Sequence, residues 1–190
     1  MIANSKAVDV ISLNSSLLNQ TKGVFQGHGF LGEDQLIDAA REMGWRPGAK
    51  GPRAFRIVML HHHVVPIIHR DLPRYDQQSS VVYDVGSLCR WLAEYEVDLV
   101  LHGHMHQATV LKESRTVNLS EGTLKWHEFN VAALGSSGVD LAHTTDHKSS
   151  YGTLTFERNF ALLSIRQISP NNDVGSGDRQ IAQVTIDYRS

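Results

Sequence analysis

Two histidine clusters, each directly after an apolar run, hold the side chains best suited to chemistry in this sequence. The first reads IVML-HHH over residues 57–63, and the second reads VDLVL-HGHMH over residues 97–106. Six of the 11 histidines of the chain lie in these two clusters. Because histidine is the commonest protein ligand for transition metals, the sequence predicts a metal site to which both clusters contribute.

The apolar runs in front of the clusters predict two buried strands, over residues 55–60 and 98–101. A helix predicted over residues 85–96 lies between them, with Asp84 in position to cap its first turn. Strand, helix and strand make a βαβ unit, which places both strands in one parallel sheet. We therefore expect the two clusters to emerge at the same edge, where open α/β sheets bind their ligands.

Within the second cluster, spacing suggests which side chains share a site. Residues two apart in an extended segment point to the same side, so His104 and His106 can address one site while Met105 points away. Strict alternation would add His102 to that side, whereas a tight turn at Gly103 would break the alternation. The sequence leaves both arrangements open for His102.

The remaining pattern predicts one more helix and several strands. We expect a first strand over 8–13 and a helix over 33–43 that ends at Gly44 and buries a stripe formed by Leu36, Ile37, Ala40 and Met43. No helix is predicted after residue 106. Strand-like segments follow there instead, with a hairpin at Asn159; they cover residues 109–112, 128–134, 152–156, 160–166 and 180–188.

Several isolated side chains are expected to have structural rather than chemical roles. We predict that Trp91 and Trp126 lie in the core and that Cys89 serves packing. The histidines outside the two clusters are expected in surface positions or loops; they are His28, His69, His127, His143 and His147.

The ordered motifs resemble the calcineurin-like metallophosphoesterases. Residues 97–107 resemble the Gly-His-x-His motif of that family, and residues 56–66 resemble its strand ending in His-His or His-x-Pro. Three further pieces match in order, at 13–15 (Leu-Asn-Ser), 32–40 and 131–138. The resemblance spans roughly residues 6–165 and implies an α/β fold, a partial metallophosphoesterase αββα sandwich. Its mixed sheet would have a parallel βαβ core, and its C-terminal part would be rich in strands.

The resemblance also implies a function and a set of ligands. It implies a hydrolase that cleaves a phosphomonoester or phosphodiester with metal-activated water, using divalent ions of Mn, Fe or Zn, two in the complete site. His61 and His104 would bind one metal ion and His106 the other. Because His63 stands where the family has proline, His62 is kept as an alternative metal ligand or phosphate contact. No other side chain is assigned a catalytic role.

The sequence departs from the family in its first part. It lacks the motifs Asp-x-His, Gly-Asp-x-x-Asp and Gly-Asn-His, which supply the bridging aspartate and other ligands. We therefore expect residues 1–190, a single domain, to correspond to the C-terminal half of the family domain, with activity requiring the missing N-terminal half. Two alternatives stay open: a non-catalytic remnant or binding module, and a mononuclear zinc protein in which three imidazoles leave an open fourth position.

Composition narrows the partners. The 190 residues are 41% hydrophobic and 20% charged with a net charge of −2, so no basic field favours nucleic acid and no run is long enough for a membrane span. The single cysteine fits a reducing compartment, and we expect a cytoplasmic protein. Its expected partners are a small phosphoester substrate and either the missing N-terminal half or a second copy, because a half-sandwich leaves an unpaired sheet edge.

Overall fold

The computed structural model describes residues 7–17, 28–48, 54–65, 81–103, 108–119, 122–133, 150–167 and 179–188. The first five elements alternate between strands and helices: β1 (Val8–Ser12), α1 (Glu33–Glu42), β2 (Phe55–Leu60), α2 (Val85–Glu94) and β3 (Leu99–His102). Only strands follow in the described ranges: β4 (Thr109–Asn118), β5 (Leu124–Ala133), β6 (Ser150–Phe156), β7 (Phe160–Gln167) and β8 (Arg179–Asp187).

The strands form two sheets. A five-stranded sheet has the order β1-β2-β3-β5-β4, in which β1, β2, β3 and β5 are parallel and β4 is antiparallel to β5. A three-stranded antiparallel sheet has the order β6-β7-β8. The predicted βαβ unit is confirmed, and its two strands are direct neighbours with Leu60 opposite His102.

Side-chain alternation along the central strands separates two apolar cores. On one face, Val58 and Val100 pack with residues of both helices, including Leu36 and Leu92. On the other face, Phe55, Ile57, Leu99 and Ala132 pack against the three-stranded sheet through Ala161, Leu163 and Ile186. The layers are therefore helices, mixed sheet and antiparallel sheet, which confirms the predicted mixed α/β class with a β-rich C-terminal part.

Both helices end in the same backbone motif. After α1, the N–H of Gly44 donates to Arg41 O (3.0 Å) and the N–H of Trp45 to Ala40 O (2.9 Å), with Gly44 at φ +66° as predicted. After α2, Glu96 occupies the equivalent position at φ +50°, a conformation that side chains disfavour. No helix in the described part of the chain is long and apolar enough to span a bilayer.

The prediction that the Asp84 side chain caps the first turn of α2 was wrong. Asp84 stands at the N-cap position of α2, but its side chain forms no capping hydrogen bond there. Its carboxylate accepts hydrogen bonds from the N–H groups of Leu31 (3.2 Å) and Gly32 (2.9 Å), which lead into α1. A long-range contact thus replaced the local one, and it ties the starts of both helices together.

Other predictions failed where an apolar side chain has no layer above it. Ile37 and Met43 are exposed although Leu36 and Ala40 are buried, so the buried stripe of α1 is narrower than predicted. Trp126 is 62% exposed because β5 extends past the residues that pair with β3.

His127 was predicted in a surface position or loop, but it lies in β5, is buried and stacks on Phe129, with ring centroids 5.6 Å apart.

Candidate metal centre

The ends of β2 and β3 lie side by side, so the two histidine clusters begin at neighbouring points of one sheet edge. The N–H of Gly103 donates to the carbonyl of His61 at 3.1 Å, which extends the strand pairing by one step. A Cβ atom built on Gly103 would lie 3.9 Å from His61 Nδ1, so the His61 ring stands directly beside the Gly103 backbone. The His61 side chain is exposed to solvent.

The Ser15 side chain fixes the backbone of the first histidine cluster by hydrogen bonds. This buried hydroxyl accepts hydrogen bonds from the N–H groups of His61 and His62, both at 3.1 Å, and lies 2.9 Å from His62 Nδ1. Ser15 follows β1 closely, and β1 pairs with β2 in register, so the hydroxyl reaches the end of β2. The turn after β2 is therefore fixed by a side chain of the neighbouring strand end.

The hydrogen bonds that Ser15 accepts leave its O–H available for the ring of His62. A serine hydroxyl has one donor hydrogen and two acceptor lone pairs. The two backbone N–H groups of His61 and His62 occupy both lone pairs, so the O–H donates to His62 Nδ1.

His62 is fully buried, unlike its neighbour His61. It fills the space beside Gly29, where an added Cβ would lie 2.6 Å from His62 Cβ and 2.7 Å from Cγ. Gly29 is itself held by the N–H of Tyr83, which donates to its carbonyl at 2.7 Å. His62 thus acts in the described structure as a packing element that joins three chain segments.

His102 and His63 form a second buried pair, with ring centroids 4.7 Å apart. Burial lowers the pKa of His102, and a 3.3 Å hydrogen bond from Nδ1 to Gly103 O offsets part of that effect. With its proton on Nδ1, the other nitrogen, Nε2, is an acceptor that finds no hydrogen-bond partner among the described residues. The His102 ring is buried and packed against His63. Whether His102 shares a side with His104 and His106 stays open, because those two lie outside the described residues.

The structure brings one predicted ligand, His61, to the sheet edge as an exposed side chain. His104 and His106 lie outside the described residues, so their assignment as ligands stays a prediction, as does the role of His62 as an alternative. Within the described ranges, no three side chains of His, Cys, Asp or Glu come together as a metal site.

Two partly or fully buried carboxylates lie at the other end of the strands. Asp98 immediately precedes β3, and its carboxylate accepts the N–H of Arg56 at 2.9 Å. Asp9, near the start of β1, accepts the indole N–H of Trp45 at 2.8 Å. Because a strand advances about 3.3 Å per residue, the five steps from Arg56 to His61 separate these acids from the histidines by roughly 16 Å.

Sequence reasoning did not assign roles to Ser15 and Gly29, although both determine the shape of this edge. Ser15 stood within a matched motif, but a hydroxyl two residues past a strand gave no sign of its partner 46 residues away. Gly29 was one of several glycines in a predicted loop, and only the packing against His62 distinguishes it. Both contacts are long-range, which is why local pattern could not supply them.

No protein-family model matches the chain, and no curated protein matches it by sequence. Among solved structures, it is similar to the purple acid phosphatase PPD1 from yellow lupin (Lupinus luteus) seeds, with a TM-score of 0.46 and 17% identity over 85% of this chain. It is also similar to Vacuolar Protein Sorting 29 of Cryptosporidium parvum, with a TM-score of 0.35, 13% identity, and coverage of 94% of this chain and 97% of that one.

A single mutant of Vps29 from Entamoeba histolytica is similar as well, with a TM-score of 0.28 and 11% identity over 95% of this chain and 99% of that chain. The chain spans about a third of the purple acid phosphatase, 31% of its length. All three TM-scores are below 0.5; one of these proteins is named as a phosphatase and another as a vacuolar protein sorting protein. The case for a function therefore depends on the geometry of the site itself.

Proposed function

We propose that this chain is part of a calcineurin-like metallophosphoesterase that hydrolyses a small phosphomonoester or phosphodiester. The observation that supports the proposal most is the adjacency of the two cluster starts, with Gly103 hydrogen-bonded to His61. Consecutive Cα atoms are about 3.8 Å apart, so the residue after Gly103, His104, is covalently tied to this point. The proposed ligands are His61, His104 and His106.

The chain's own residues would prepare the site before any cation binds. The backbone at His61 is fixed by the Ser15 hydroxyl on one side and by the Gly103 N–H on the other. Only its ring is then left to adjust, which lowers the entropy lost on binding a ligand. When bound, divalent ions of Mn, Fe or Zn would polarise the phosphoryl oxygens and lower the pKa of a water molecule.

Acidic ligands are the part of the site that these residues do not provide. Three neutral imidazoles carry no negative charge, and two divalent cations held by them alone would repel each other strongly. Asp9 and Asp98 are bound to other groups at the opposite end of the strands. We therefore propose that the complete dimetal site needs carboxylates from a further segment or a second polypeptide, the missing half.

Hydrolysis of p-nitrophenyl phosphate and of bis(p-nitrophenyl) phosphate, with Mn²⁺ or Zn²⁺ added, tests this proposal. Activity that disappears in His104→Ala and His106→Ala but persists in a surface control, Trp126→Ala, is the expected result. Activity that survives in both histidine variants would contradict the assignment. The assay should be run with the chain alone and with any longer parent sequence, because the carboxylates are proposed to come from there.

A second candidate is a mononuclear zinc protein without hydrolase activity. It is favoured by the donor set, because three imidazoles suit one zinc ion without added carboxylates. One tightly bound equivalent of zinc, lost in His106→Ala, together with no turnover of either aryl phosphate would support it. A non-catalytic binding module is the third candidate and would show neither property. The lone buried Cys89 fits a cytoplasmic location for any of these proteins.

A further inference from the structure

The strand β1 forms one edge of the five-stranded sheet, and no strand in the described part of the chain pairs with its outer side. On its inner side, the carbonyl of Ala7 accepts the N–H of Phe55, and the N–H of Leu13 donates to Met59 O, both at 2.8 Å. Because the N–H and C=O of one residue point the same way and alternate along a strand, those of residues 8, 10 and 12 point outward. The edge therefore offers regularly spaced donors and acceptors.

The side chains of these same residues leave an apolar strip uncovered. Val10 is 49% exposed. Met59 of β2, which is paired with Ser12, lies on the same face and is 42% exposed. Their neighbours Phe55 and Ile57 lie on the same face but are buried beneath the three-stranded sheet. The covering layer thus ends before β1, and the strip joins directly onto the open edge.

The two edges of the sheet differ in how they are protected. Native edge strands usually carry lysine or other charges, or proline, which prevents pairing with another strand. The opposite edge strand, β4, contains Lys112, Glu113 and Arg115. The sequence of β1, VDVIS, contains one charge, Asp9.

That charge does not block the outer edge. Asp9 faces the helices, where its carboxylate accepts the Trp45 indole N–H at 2.8 Å and lies 4.0 Å from Arg56 Nε. The guanidinium of Arg56 also stacks over the Trp45 ring, 4.5 Å from its centroid. Asp9 is therefore paired within its own chain and turned away from the apolar strip.

We propose that β1 pairs antiparallel with β1 of a second copy of this chain, about a two-fold axis through Val10. In that arrangement Val10 exchanges hydrogen bonds with Val10 of the second copy, and Val8 pairs with Ser12. Asp9 then stands opposite Ile11 of the other copy rather than opposite another carboxylate. The valines and Met59 of both copies form one continuous strip across the joined sheets.

A second copy suits this edge because the edge is complementary to itself. The outward groups at residues 8, 10 and 12 are symmetric about Val10, as an isologous two-fold contact requires. The contact would involve one strand of 5 residues and its flanking side chains, whereas a standard interface buries roughly 800 Å² per partner. The dimer should therefore be weak and appear only as the protein concentration rises.

Sedimentation velocity over a range from about 5 to 500 µM tests the proposal. The wild-type chain should shift from the mass of one copy toward that of two, and Val10→Lys should weaken the association at least tenfold. Leu111→Lys, a matched change of an exposed apolar residue on the opposite edge strand, should leave it unchanged. Val10→Pro removes an outward N–H and should act like Val10→Lys, and circular dichroism confirms that each variant is folded.

A wild-type chain that remains one copy up to 500 µM would overturn the proposal. So would a dimer that Val10→Lys and Val10→Pro leave intact, because the contact would then lie elsewhere. Hydrogen exchange adds a third criterion at the outward amides of residues 8, 10 and 12. If these amides are already protected at 5 µM, where the chain has the mass of one copy, its own segments cover the edge and the proposal fails.

Discussion

Replacing Gly29 by alanine should destabilise the protein because it drives a methyl group into His62. The added Cβ would lie 2.6 and 2.7 Å from two carbon atoms of His62 and 3.0 Å from Nδ1. Neither side can easily retreat. The Ser15 hydroxyl holds His62 at Nδ1 and at its backbone N–H, and Tyr83 holds the Gly29 carbonyl.

The expected loss has two parts. Overpacking of a fixed interior typically destabilises by about 1–3 kcal/mol. Displacing His62 also breaks its bond to Ser15, which contributes about 1 kcal/mol. The free energy of unfolding should therefore fall by about 2–4 kcal/mol. With a urea dependence of about 2 kcal/mol per M, the unfolding midpoint should move down by about 1–2 M.

Gly86→Ala is the matched control for this experiment. Gly86 lies in α2, where nothing stands within 4 Å of an added Cβ. Because Gly86 is the second residue of α2 rather than an interior one, alanine should stabilise the helix by less than about 1 kcal/mol. If Gly29→Ala unfolds within about 0.5 kcal/mol of the wild type, the account of His62 as a fixed packing element is wrong.

Three further changes test other parts of the structure. Ser15→Ala leaves the buried N–H of His62, the partly buried N–H of His61 and His62 Nδ1 without their oxygen. Urea unfolding should show a loss of about 2–4 kcal/mol, against less than about 0.5 for the exposed Ser114→Ala. Glu96→Gly and Glu96→Ala both remove the 2.9 Å ion pair with Lys125, so they differ only in backbone preference. Because residue 96 has φ +50°, the glycine variant should be more stable than the alanine variant by about 1 kcal/mol in thermal unfolding. In a helix interior alanine would be the more stable of the two. Burial lowers the pKa of His102 below its usual 6.5, so the unfolded chain takes up this proton first. The stability from keeping it neutral is complete above about pH 6.5 and is lost as the pH falls toward the folded-state pKa. His102→Gln should therefore show a shallower decline of stability between pH 6.5 and 5, by at most about 1.4 kcal/mol per pH unit, and an unchanged slope would refute the assignment.

The central strands β2 and β3 could be predicted from sequence because a continuous apolar run is stable only where both faces of the strand are buried. The strand predicted over residues 55–60 agrees residue for residue with β2, whose neighbours on both faces are buried. The predicted bounds of the two helices agree with the observed ones to within two residues, because residues close in sequence determine where a helix begins and ends. The parallel pairing of β2 with β3 followed from the handedness and length of the crossover.

The outer strands were harder because half of their side chains face water. The strand predicted over residues 109–112 extends to Asn118, through a polar alternation that favours no single element. It forms a hairpin with β5 that the sequence analysis did not identify, closed near Gly122 at φ +81°. Trp126 and His127 exchanged their expected places because the register of this hairpin decides which face meets α2.

The shared sheet edge of the two histidine clusters could be predicted from sequence, but the contacts that support it could not. Two histidine clusters after parallel strands are enough to place His61 and Gly103 together. Which histidine faces solvent depends on Ser15 and Gly29, whose partners are distant in sequence. Asp84 shows the same limit, since a suitable capping residue was instead bound to another segment.

Zinc binding measured by isothermal titration calorimetry at pH 7.5 tests most directly whether histidines from the two strand ends share one cation. His61→Ala, His104→Ala and His106→Ala should each lower the affinity at least tenfold, while the partly exposed His28→Ala should not. If His61→Ala binds zinc as tightly as the wild type, the end of β2 is not part of a metal site and the account is contradicted.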